Sequence, residues 1–371
     1  MREELIKQLE TPCVVIDLRQ AASNVRQMQR AAEEAGCRLR PHIKTHKMPL
    51  FARMQMECGA CGITCAKVSE AEVMADGGLD DIFIAYPQIG EFRIRRVLEL
   101  SRRVKRLIVG VDSIEGAAAL NRAAGAQGLV IEVRLEVDTG AGRTGAARER
   151  AVELAVLIAA MEHLRLTGIY TFKSLVLHGL ATTDNEAAGE EEGALMEEFA
   201  TAIRAAGVPV SEISAGSTPT GIWVAKTGRV TEIRPGTYIF KDYMLVMENA
   251  ALMEEIAARI YATVVSTPTE EYAVIDGGTK TFPMDILLDA EPYHYPGYAI
   301  VEGNPDLQLR RMNEEHGMII SQSGKTGLKV GDVLCLIPIH VCTAVNMQNQ
   351  VYLYDGKTLK KERVSGRGML V

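Results

Sequence analysis

The sequence lacks the features that define three broad classes of protein. Its 41 Lys and Arg residues are outnumbered by 48 Asp and Glu residues, and the net charge of -7 argues against a general nucleic-acid-binding surface. No run approaches the roughly 18 apolar residues that a membrane-spanning helix needs. The opening stretch, MREELIKQLE, has no apolar core of a signal peptide. We therefore expect a protein that binds neither nucleic acid nor membranes.

A disulfide framework is also missing. The seven cysteines are an odd number and are scattered along the chain, which indicates a reducing compartment, the cytoplasm. Cys58 and Cys61 form a CxxC pair, but a structural zinc site would need a second ligand pair nearby, and none is visible. We interpret this pair as small buried residues that enter a strand.

What the sequence does contain is a regular alternation of strands and helices. Short apolar runs alternate with helix-like runs up to about residue 240, which is typical of βαβ units around a parallel sheet. The predicted strands are RLRPHIK, GITCAKV, DIFIAYP, RLIVGVD, LVIEVRLEVD, LTGIYTF, VSEISAG and TEIRPGTY. Eight strands in about 200 residues predict a closed (β/α)8 TIM barrel.

The pattern changes at about residue 245. The stretches ARIYATVVSTPTEEYAVIDGG and DVLCLIPIH are strands joined by turns, with few helix signals, and they indicate a second, C-terminal β-rich domain. The early strand CVVIDL lies outside the eight, and we expect it to join this second domain. The predicted domains are therefore a barrel over residues 16–244 and a β domain over residues 245–371, completed by residues 1–15.

The run CRLRPHIKTHK, residues 37–47, contains the first candidate for chemistry. Lys44 lies at the end of the first predicted barrel strand, and barrel enzymes carry their catalytic side chains at the carboxyl ends of strands. A lysine there is suited to form a Schiff base with a substrate carbonyl or with pyridoxal phosphate. The alternative interpretation is an ordinary surface lysine just past a strand.

Other strand ends carry features that suit a phosphorylated aldehyde cofactor. The loop SAGSTPT, residues 214–220, follows the seventh strand, and its small and hydroxyl residues favour phosphate binding. Arg143 follows the fifth strand and Tyr170 lies in the sixth, where either side chain is placed to contact a cofactor ring. Taken singly, a glycine-serine turn, Arg143 and Tyr170 are each more often structural.

The stretch PIHVCTAVN in the β-rich region contains a candidate metal site. His340 and Cys342 are two residues apart on a predicted strand, which would place both side chains on one face. Imidazole and thiolate on one face are suited to zinc or a similar divalent ion, and two ligands leave open positions for catalysis. The alternative is a partly buried histidine beside a buried cysteine.

Six stretches together resemble the fold-type III pyridoxal-phosphate enzymes, most closely the D-threonine aldolase and D-serine dehydratase branch. They are RPHIKTHK, CAKVSEAEV, EVDTGAGRTG, AGSTPT, TEIRPGTY and HVCTAVN, and they run in order over nearly the whole chain. The resemblance implies an alanine racemase-like barrel, a β domain and a head-to-tail homodimer. By position, it implies that Lys44 is the Schiff-base lysine, that Arg143 contacts the phenolic oxygen of pyridoxal 5'-phosphate, and that Tyr170 faces the pyridine nitrogen.

The resemblance also implies the remaining ligands. Gly216, Ser217 and Thr218 would hold the cofactor phosphate, and His340 and Cys342 would bind a divalent zinc, manganese or magnesium ion.

One segment departs from the family pattern. His42 and His46 match the motif around the lysine and are expected in the pocket wall. The stretch at 171–193 does not follow the pattern, which leaves open the role of His178 and the shape of that side of the pocket.

The resemblance implies a lyase that acts on β-hydroxy D-amino acids. Our first prediction is retro-aldol cleavage of D-threonine-like substrates to glycine and an aldehyde. The alternative is dehydration of D-serine or 3-hydroxyaspartate to ammonia and a 2-keto acid, which Cys342 favours, because we expect an aspartate at that ligand position in the aldolases. An amino-acid racemase, which needs no metal, is a further alternative, and a non-catalytic pyridoxal-phosphate carrier would not need the β-rich region.

Overall fold

The computed structural model describes residues 1–371. The strands are β1 Cys13–Asp17, β2 Arg38–Leu39, β3 Ile63–Cys65, β4 Asp81–Ile84, β5 Arg106–Val111, β6 Ile131–Glu136, β7 Leu164–Tyr170, β8 Val176–Leu177, β9 Leu180–Ala181, β10 Glu212–Ala215, β11 Glu232–Ile233, β12 Ala258–Ser266, β13 Tyr272–Ile275, β14 Ala299–Val301, β15 Asn304–Met312, β16 Gly317–Ser321, β17 Val333–Pro338, β18 Gln350–Tyr354 and β19 Leu359–Arg363. The α-helices are α1 Glu3–Ile6, α2 Leu18–Glu34, α3 Pro49–Glu57, α4 Val68–Asp76, α5 Glu91–Ser101, α6 Ile114–Gly125, α7 Arg148–Ala159, α8 Asn185–Ala205, α9 Gly221–Lys226, α10 Tyr243–Met247 and α11 Val341–Met347. Short 3-10 turns cover Ile43–Thr45, Thr237–Ile239 and Met253–Glu255.

The chain divides into two compact units. One comprises residues 1–25, 45–47 and 237–368, and the other comprises residues 26–44, 48–236 and 369–371. These limits differ from the predicted ones, because the start of α2 and the segment after residue 236 belong to the first unit. None of the helices is long and apolar enough to cross a membrane.

The second unit contains the predicted barrel. Eight parallel strands lie in the order β2-β11-β10-β7-β6-β5-β4-β3. Backbone hydrogen bonds from Cys61 N–H to the Leu39 carbonyl (2.9 Å) and from Thr64 N–H to the Pro41 carbonyl (2.8 Å) join the two ends of this series. The prediction of an eight-stranded barrel is therefore confirmed, and the carboxyl ends of all eight strands face the same way.

The barrel interior holds charged side chains as well as apolar ones. Arg40, Arg134 and Glu232 are fully buried. Arg40 Nε donates to Glu232 Oε2 (2.8 Å), and Arg134 Nη1 donates to Glu232 Oε1 (2.7 Å). Burial alone would raise the pKa of Glu232, but the two guanidinium groups hold it well below its ordinary value.

The first unit is built on one nine-stranded sheet. Its strand order is β13-β16-β15-β14-β17-β12-β1-β18-β19. Strand β1 pairs antiparallel with β12 and parallel with β18, so the early strand joins the β-rich region as predicted. The side chains of β14 are all buried, as are most of those of β17 and β18, which is expected of central strands covered on both faces.

Candidate functional site

The structure places Lys44 in the 3-10 turn that follows β2. The β ladder ends at Leu39, because Pro41 cannot donate a ladder hydrogen bond, so the predicted strand is shorter than its sequence pattern. The Lys44 side chain is half-buried and forms no ion pair. Its Nζ lies 5.3 Å from the centroid of the Phe172 ring. An amine without a carboxylate partner is the state that reaction with an aldehyde requires.

Arg143 contacts the same aromatic ring. Its guanidinium carbon lies 4.7 Å from the Phe172 centroid, and the side chain is otherwise exposed. The loops that follow β2, β6 and β7 therefore bring Lys44, Arg143 and Phe172 together. Sequence reasoning missed Phe172, although its position two residues beyond the end of a barrel strand was a usable signal.

Tyr170, by contrast, points into the barrel. Its ring is buried and packs edge-on against Phe83 at a centroid distance of 4.9 Å. The hydroxyl donates to Glu136 Oε2 (3.0 Å), and burial together with this carboxylate raises the pKa of Tyr170 well above its ordinary value. While it donates to Glu136, the hydroxyl can contact a pyridine nitrogen only as an acceptor.

The loop that follows β10 is held by internal hydrogen bonds. Gly216 has a φ of +80°, which favours glycine, and its N–H donates to Glu192 Oε1 (2.9 Å). The N–H of Ser217 donates to Thr220 Oγ1 (3.1 Å). Gly216 and Thr220 are buried, whereas Ser217 and Thr218 are half-buried, so the middle of the loop is its accessible part.

The divergent segment contains a second lysine, which differs from Lys44. Lys173 is almost fully buried and forms an ion pair with Glu191 of α8. The exposed His178 in the β8–β9 turn is also bound there, since its Nδ1 lies 2.7 Å from Glu191 Oε1. Because Lys173 is paired with the Glu191 carboxylate, Lys44 is the better candidate nucleophile of the two.

These residues fit pyridoxal 5'-phosphate by the chemistry of their donor groups. Lys44 offers a free amine to the aldehyde, and Arg143 offers a cation to the phenolic oxygen. Ser217 and Thr218 are half-buried and carry hydroxyls, which suit a phosphate, and the Ser217 hydroxyl is also within 3.0 Å of Thr220 Oγ1.

The prediction that His340 and Cys342 share a strand face is wrong. Strand β17 ends at Pro338, His340 precedes α11 in an extended conformation, and Cys342 lies in the first turn of that helix. The β-branched residues around the pair suggested a strand. The buried Asp242 carboxylate, however, accepts the Val341 N–H (3.0 Å) and so favours a helix start at that point.

The two donor side chains converge nevertheless. Burial alone would lower the pKa of His340, but the Cys342 side chain, to which it is hydrogen-bonded, and Asp285 raise it. His340 Nδ1 lies 2.8 Å from Asp285 Oδ2. The Cys342 sulfur lies 3.1 Å from Thr45 Oγ1 and 3.5 Å from Thr237 Oγ1.

Imidazole and thiolate fit a zinc-type divalent ion as a donor pair. No group of three or more His, Cys, Asp or Glu side chains is arranged to hold a metal. Sequence reasoning missed Asp285, Thr45 and Thr237. Thr45 could have been noticed in the sequence because it directly follows Lys44, whereas Asp285 lies far from His340.

The two histidines expected in a pocket wall have different surroundings. The ring of His42 is half-buried, and its Nδ1 accepts the Lys44 N–H (3.2 Å). His46 is fully buried, and its ring lies edge-on to Phe240 at a centroid distance of 6.4 Å.

Comparison with known families matches most of the chain. Residues 16–244 match the alanine racemase N-terminal domain, and residues 257–354 match the putative serine dehydratase domain.

Individual relatives match nearly the full length. The chain is 31% identical to D-threo-3-hydroxyaspartate dehydratase of Delftia sp. (strain HT23), over 98% of this chain and 100% of that protein. It is 29% identical to D-threonine aldolase of Arthrobacter sp, over 98% of this chain and 94% of that protein. A structure of a cysteine-to-alanine variant of D-threo-3-hydroxyaspartate dehydratase, in the metal-free form, is similar with a TM-score of 0.86 and 28% identity, over 97% of this chain and 98% of that one.

The fold and these relatives identify the chain as a pyridoxal-phosphate-dependent lyase of fold type III. Within that class, the chain belongs to the family that joins an alanine racemase N-terminal domain to a D-serine dehydratase-like domain.

Proposed function

We propose that this enzyme cleaves β-hydroxy D-amino acids with the help of pyridoxal 5'-phosphate and a divalent metal ion. The observation that carries the proposal is the Lys44 amine, which has no ion pair and shares the Phe172 ring with Arg143. Supporting evidence comes from the relatives, whose names include a D-threonine aldolase and a D-threo-3-hydroxyaspartate dehydratase.

Each residue has a defined task in this proposal. Lys44 would hold the cofactor through its aldehyde, and Arg143 would neutralise the phenolic oxygen. When bound, the cofactor withdraws electrons from the substrate Cα. Ser217 and Thr218 orient the phosphate by donating hydrogen bonds.

His340 and Cys342 would hold the divalent ion, which supplies Lewis acidity toward the β-hydroxyl of the substrate. Asp285 orients the imidazole by accepting from Nδ1, so that Nε2 is left for the metal. The hydroxyls of Thr45 and Thr237 lie within hydrogen-bond distance of the sulfur and stabilise its thiolate form.

The first candidate reaction is retro-aldol cleavage of a D-threonine-like substrate, which gives glycine and an aldehyde. The second candidate is dehydration of D-serine or 3-hydroxyaspartate, which gives ammonia and a 2-keto acid. One observation favours the second candidate, namely the cysteine at position 342.

Product analysis tests the proposal. The purified protein is incubated with D-threonine, D-serine and D-threo-3-hydroxyaspartate, with and without a chelator. Glycine plus acetaldehyde from D-threonine identifies an aldolase, and ammonia plus pyruvate from D-serine, or plus oxaloacetate from hydroxyaspartate, identifies a dehydratase. Racemisation of D-alanine at full rate in the presence of chelator would contradict the proposal and identify a racemase.

We further propose a homodimer, because the family resemblance implies one. Light scattering of the purified protein should give about twice the chain mass of 40.5 kDa. A fully active monomer would rule this out.

A further inference from the structure

Helix α8 contains a short motif that the proposed reaction does not use. Its sequence is Gly-Glu-Glu-Glu-Gly, residues 189–193, within the segment that departs from the family pattern. A Cβ atom at Gly189 would lie 2.5 Å from the Cβ of Trp223, and one at Gly193 would lie 2.8 Å from Thr227 Oγ1. The two glycines therefore permit a closer approach of α8 to α9 than larger residues would.

This close approach brings Glu192 to the loop after β10. The Glu192 side chain is fully buried. One carboxylate oxygen accepts the Gly216 N–H (2.9 Å), and the other accepts the Thr220 hydroxyl (3.0 Å). The Thr220 oxygen in turn accepts the Ser217 N–H (3.1 Å).

Glu192 thus holds Gly216 and Thr220, the two residues that flank the middle of the predicted phosphate loop. The Gly216 N–H is directed at Glu192, so this residue supports the loop instead of offering its N–H to a ligand. Ser217 and Thr218 lie between the two tied positions and are half-buried, and the Ser217 hydroxyl lies 3.0 Å from Thr220 Oγ1.

Burying the Glu192 carboxyl group costs free energy, which its hydrogen bonds to the loop offset. Glu192 forms no ion pair, although Lys173 and Arg234 are close enough to act on it through their charges. Burial raises the pKa of Glu192 in spite of these cations and of its two hydrogen bonds. Its hydrogen bonds, more than its charge, are therefore what the loop needs.

We propose that Glu192 is a positioning residue for the cofactor phosphate, which holds Gly216 and Thr220 so that Ser217 and Thr218 face the phosphate group. This inference rests on the proposed function, because it takes the bound group to be pyridoxal 5'-phosphate. The companion residue Glu191 binds Lys173 and His178 in the loop after β7. The divergent segment therefore positions two loops at the carboxyl end of the barrel.

The test compares two aldehydes that differ only in the phosphate. Protein freed of cofactor is titrated with pyridoxal 5'-phosphate and with pyridoxal, and Kd is read from absorbance. The Glu192→Ala variant should bind the phosphorylated aldehyde about tenfold more weakly, as expected for the loss of buried hydrogen bonds. Its affinity for pyridoxal should be unchanged. Inorganic phosphate should also compete less well with the phosphorylated aldehyde in this variant.

Two further variants separate hydrogen bonding from charge. Glu192→Gln keeps an acceptor for the Gly216 N–H and a partner for the Thr220 hydroxyl, so it should retain the affinity of the wild type. The matched control is Glu190→Gln, which removes an exposed carboxylate from the same helix and should change nothing. If Glu192→Ala does not fold, Thr220→Val should show the same selective loss and Thr220→Ser should restore it.

The outcomes distinguish this inference from the proposed function. If wild-type protein does not bind pyridoxal 5'-phosphate, the proposed function fails and the inference fails with it. If the wild type binds the cofactor and Glu192→Ala weakens both aldehydes equally, or neither, Glu192 is only a structural residue and the inference alone is overturned.

Discussion

The two candidate sites of this molecule are built in opposite ways. In the barrel, the Lys44 amine has no ion pair and contacts an aromatic ring, which it shares with Arg143. In the β-rich unit, His340 and Cys342 are both held by neighbouring side chains. An amine that must react with an aldehyde has to be free of carboxylates, because an ion pair keeps it protonated. Metal ligands, in contrast, must be oriented before the ion arrives.

The same contrast separates two lysines within the barrel. Lys44 and Lys173 both follow barrel strands, yet only Lys173 has a carboxylate partner, Glu191. The sequence shows both lysines as basic residues after apolar runs, and their different partners become visible only in the structure. The ion pair with Glu191 therefore argues against Lys173 as the nucleophile, which position alone does not do.

The largest expected effect follows from replacing Lys44. Lys44→Ala should abolish both the visible absorbance of the bound cofactor and all activity, because it removes the amine that is proposed to bind the cofactor aldehyde. Lys44→Arg is the matched control, since it keeps the positive charge beside Phe172 but has no nucleophilic amine. We expect Lys44→Arg to be equally inactive, and absorbance spectra and product assays check both variants. A cofactor band that persists in Lys44→Ala would identify a different nucleophile.

The sequence predicted some features of the barrel correctly and missed others. The eight strands and the lysine at the first strand end follow from hydrophobic patterns that act over a few residues. The buried charges of Arg40, Arg134 and Glu232 were not predicted, because a strand pattern does not show which side chains face the interior of a closed barrel. The end of β2 was also placed too late, although its cause is local, because Pro41 cannot donate a ladder hydrogen bond.

The geometry around the metal pair was the least predictable part. His340 and Cys342 were recognised as a pair, but the helix that carries Cys342 starts where Asp242, almost a hundred residues earlier, accepts a backbone N–H. Likewise, Asp285 and Thr45 reach the pair from distant segments. The sequence spacing of these residues does not predict their contacts, because only the folded β-rich unit brings them together.

The next effect concerns the metal pair. Cys342→Ser replaces a soft thiolate with a neutral hydroxyl, so the protein should lose most of its affinity for zinc and, with it, the lyase activity. A chelator should have the same effect on the wild-type enzyme, while the cofactor absorbance of Lys44 stays unchanged in both cases. Calorimetric titration with zinc and spectroscopy measure the two properties separately. Full lyase activity in the presence of chelator would show that the pair is structural.

A smaller effect is expected from the barrel interior. There, in contrast to Lys44, the charged side chains form ion pairs. Glu232→Gln removes the buried carboxylate that Arg40 and Arg134 share and leaves them only Asp81 and Glu212, which are less buried, as counter-charges. We expect a loss of about 3 kcal/mol in the free energy of unfolding. Since the pKa of folded Glu232 lies below its unfolded value, the stabilisation is complete above the unfolded pKa and declines as pH falls toward the folded one.

Denaturant titration of the wild type and the variant measures this difference. The control is Glu198→Gln, which breaks an exposed pair with Arg148 and should cost less than about 1 kcal/mol. Equal losses in the two variants would mean that the buried pairs contribute no more than surface ones.

The smallest effect concerns Asp285, which orients His340 without being one of the proposed ligands. Asp285→Asn keeps a hydrogen-bond acceptor near Nδ1 but removes the charge that fixes the tautomer with Nε2 free for the metal. We expect zinc affinity to fall about tenfold, with cofactor absorbance and the free energy of unfolding unchanged. Asp289→Asn is the matched control, because this nearby carboxylate pairs with Arg310 and should leave zinc affinity unaltered. If Asp285→Asn bound zinc as tightly as the wild type, the contact between Asp285 and His340 would reflect packing alone. The contrast between an unpaired nucleophile and pre-oriented metal ligands would then depend only on Cys342 and its two threonine hydroxyls.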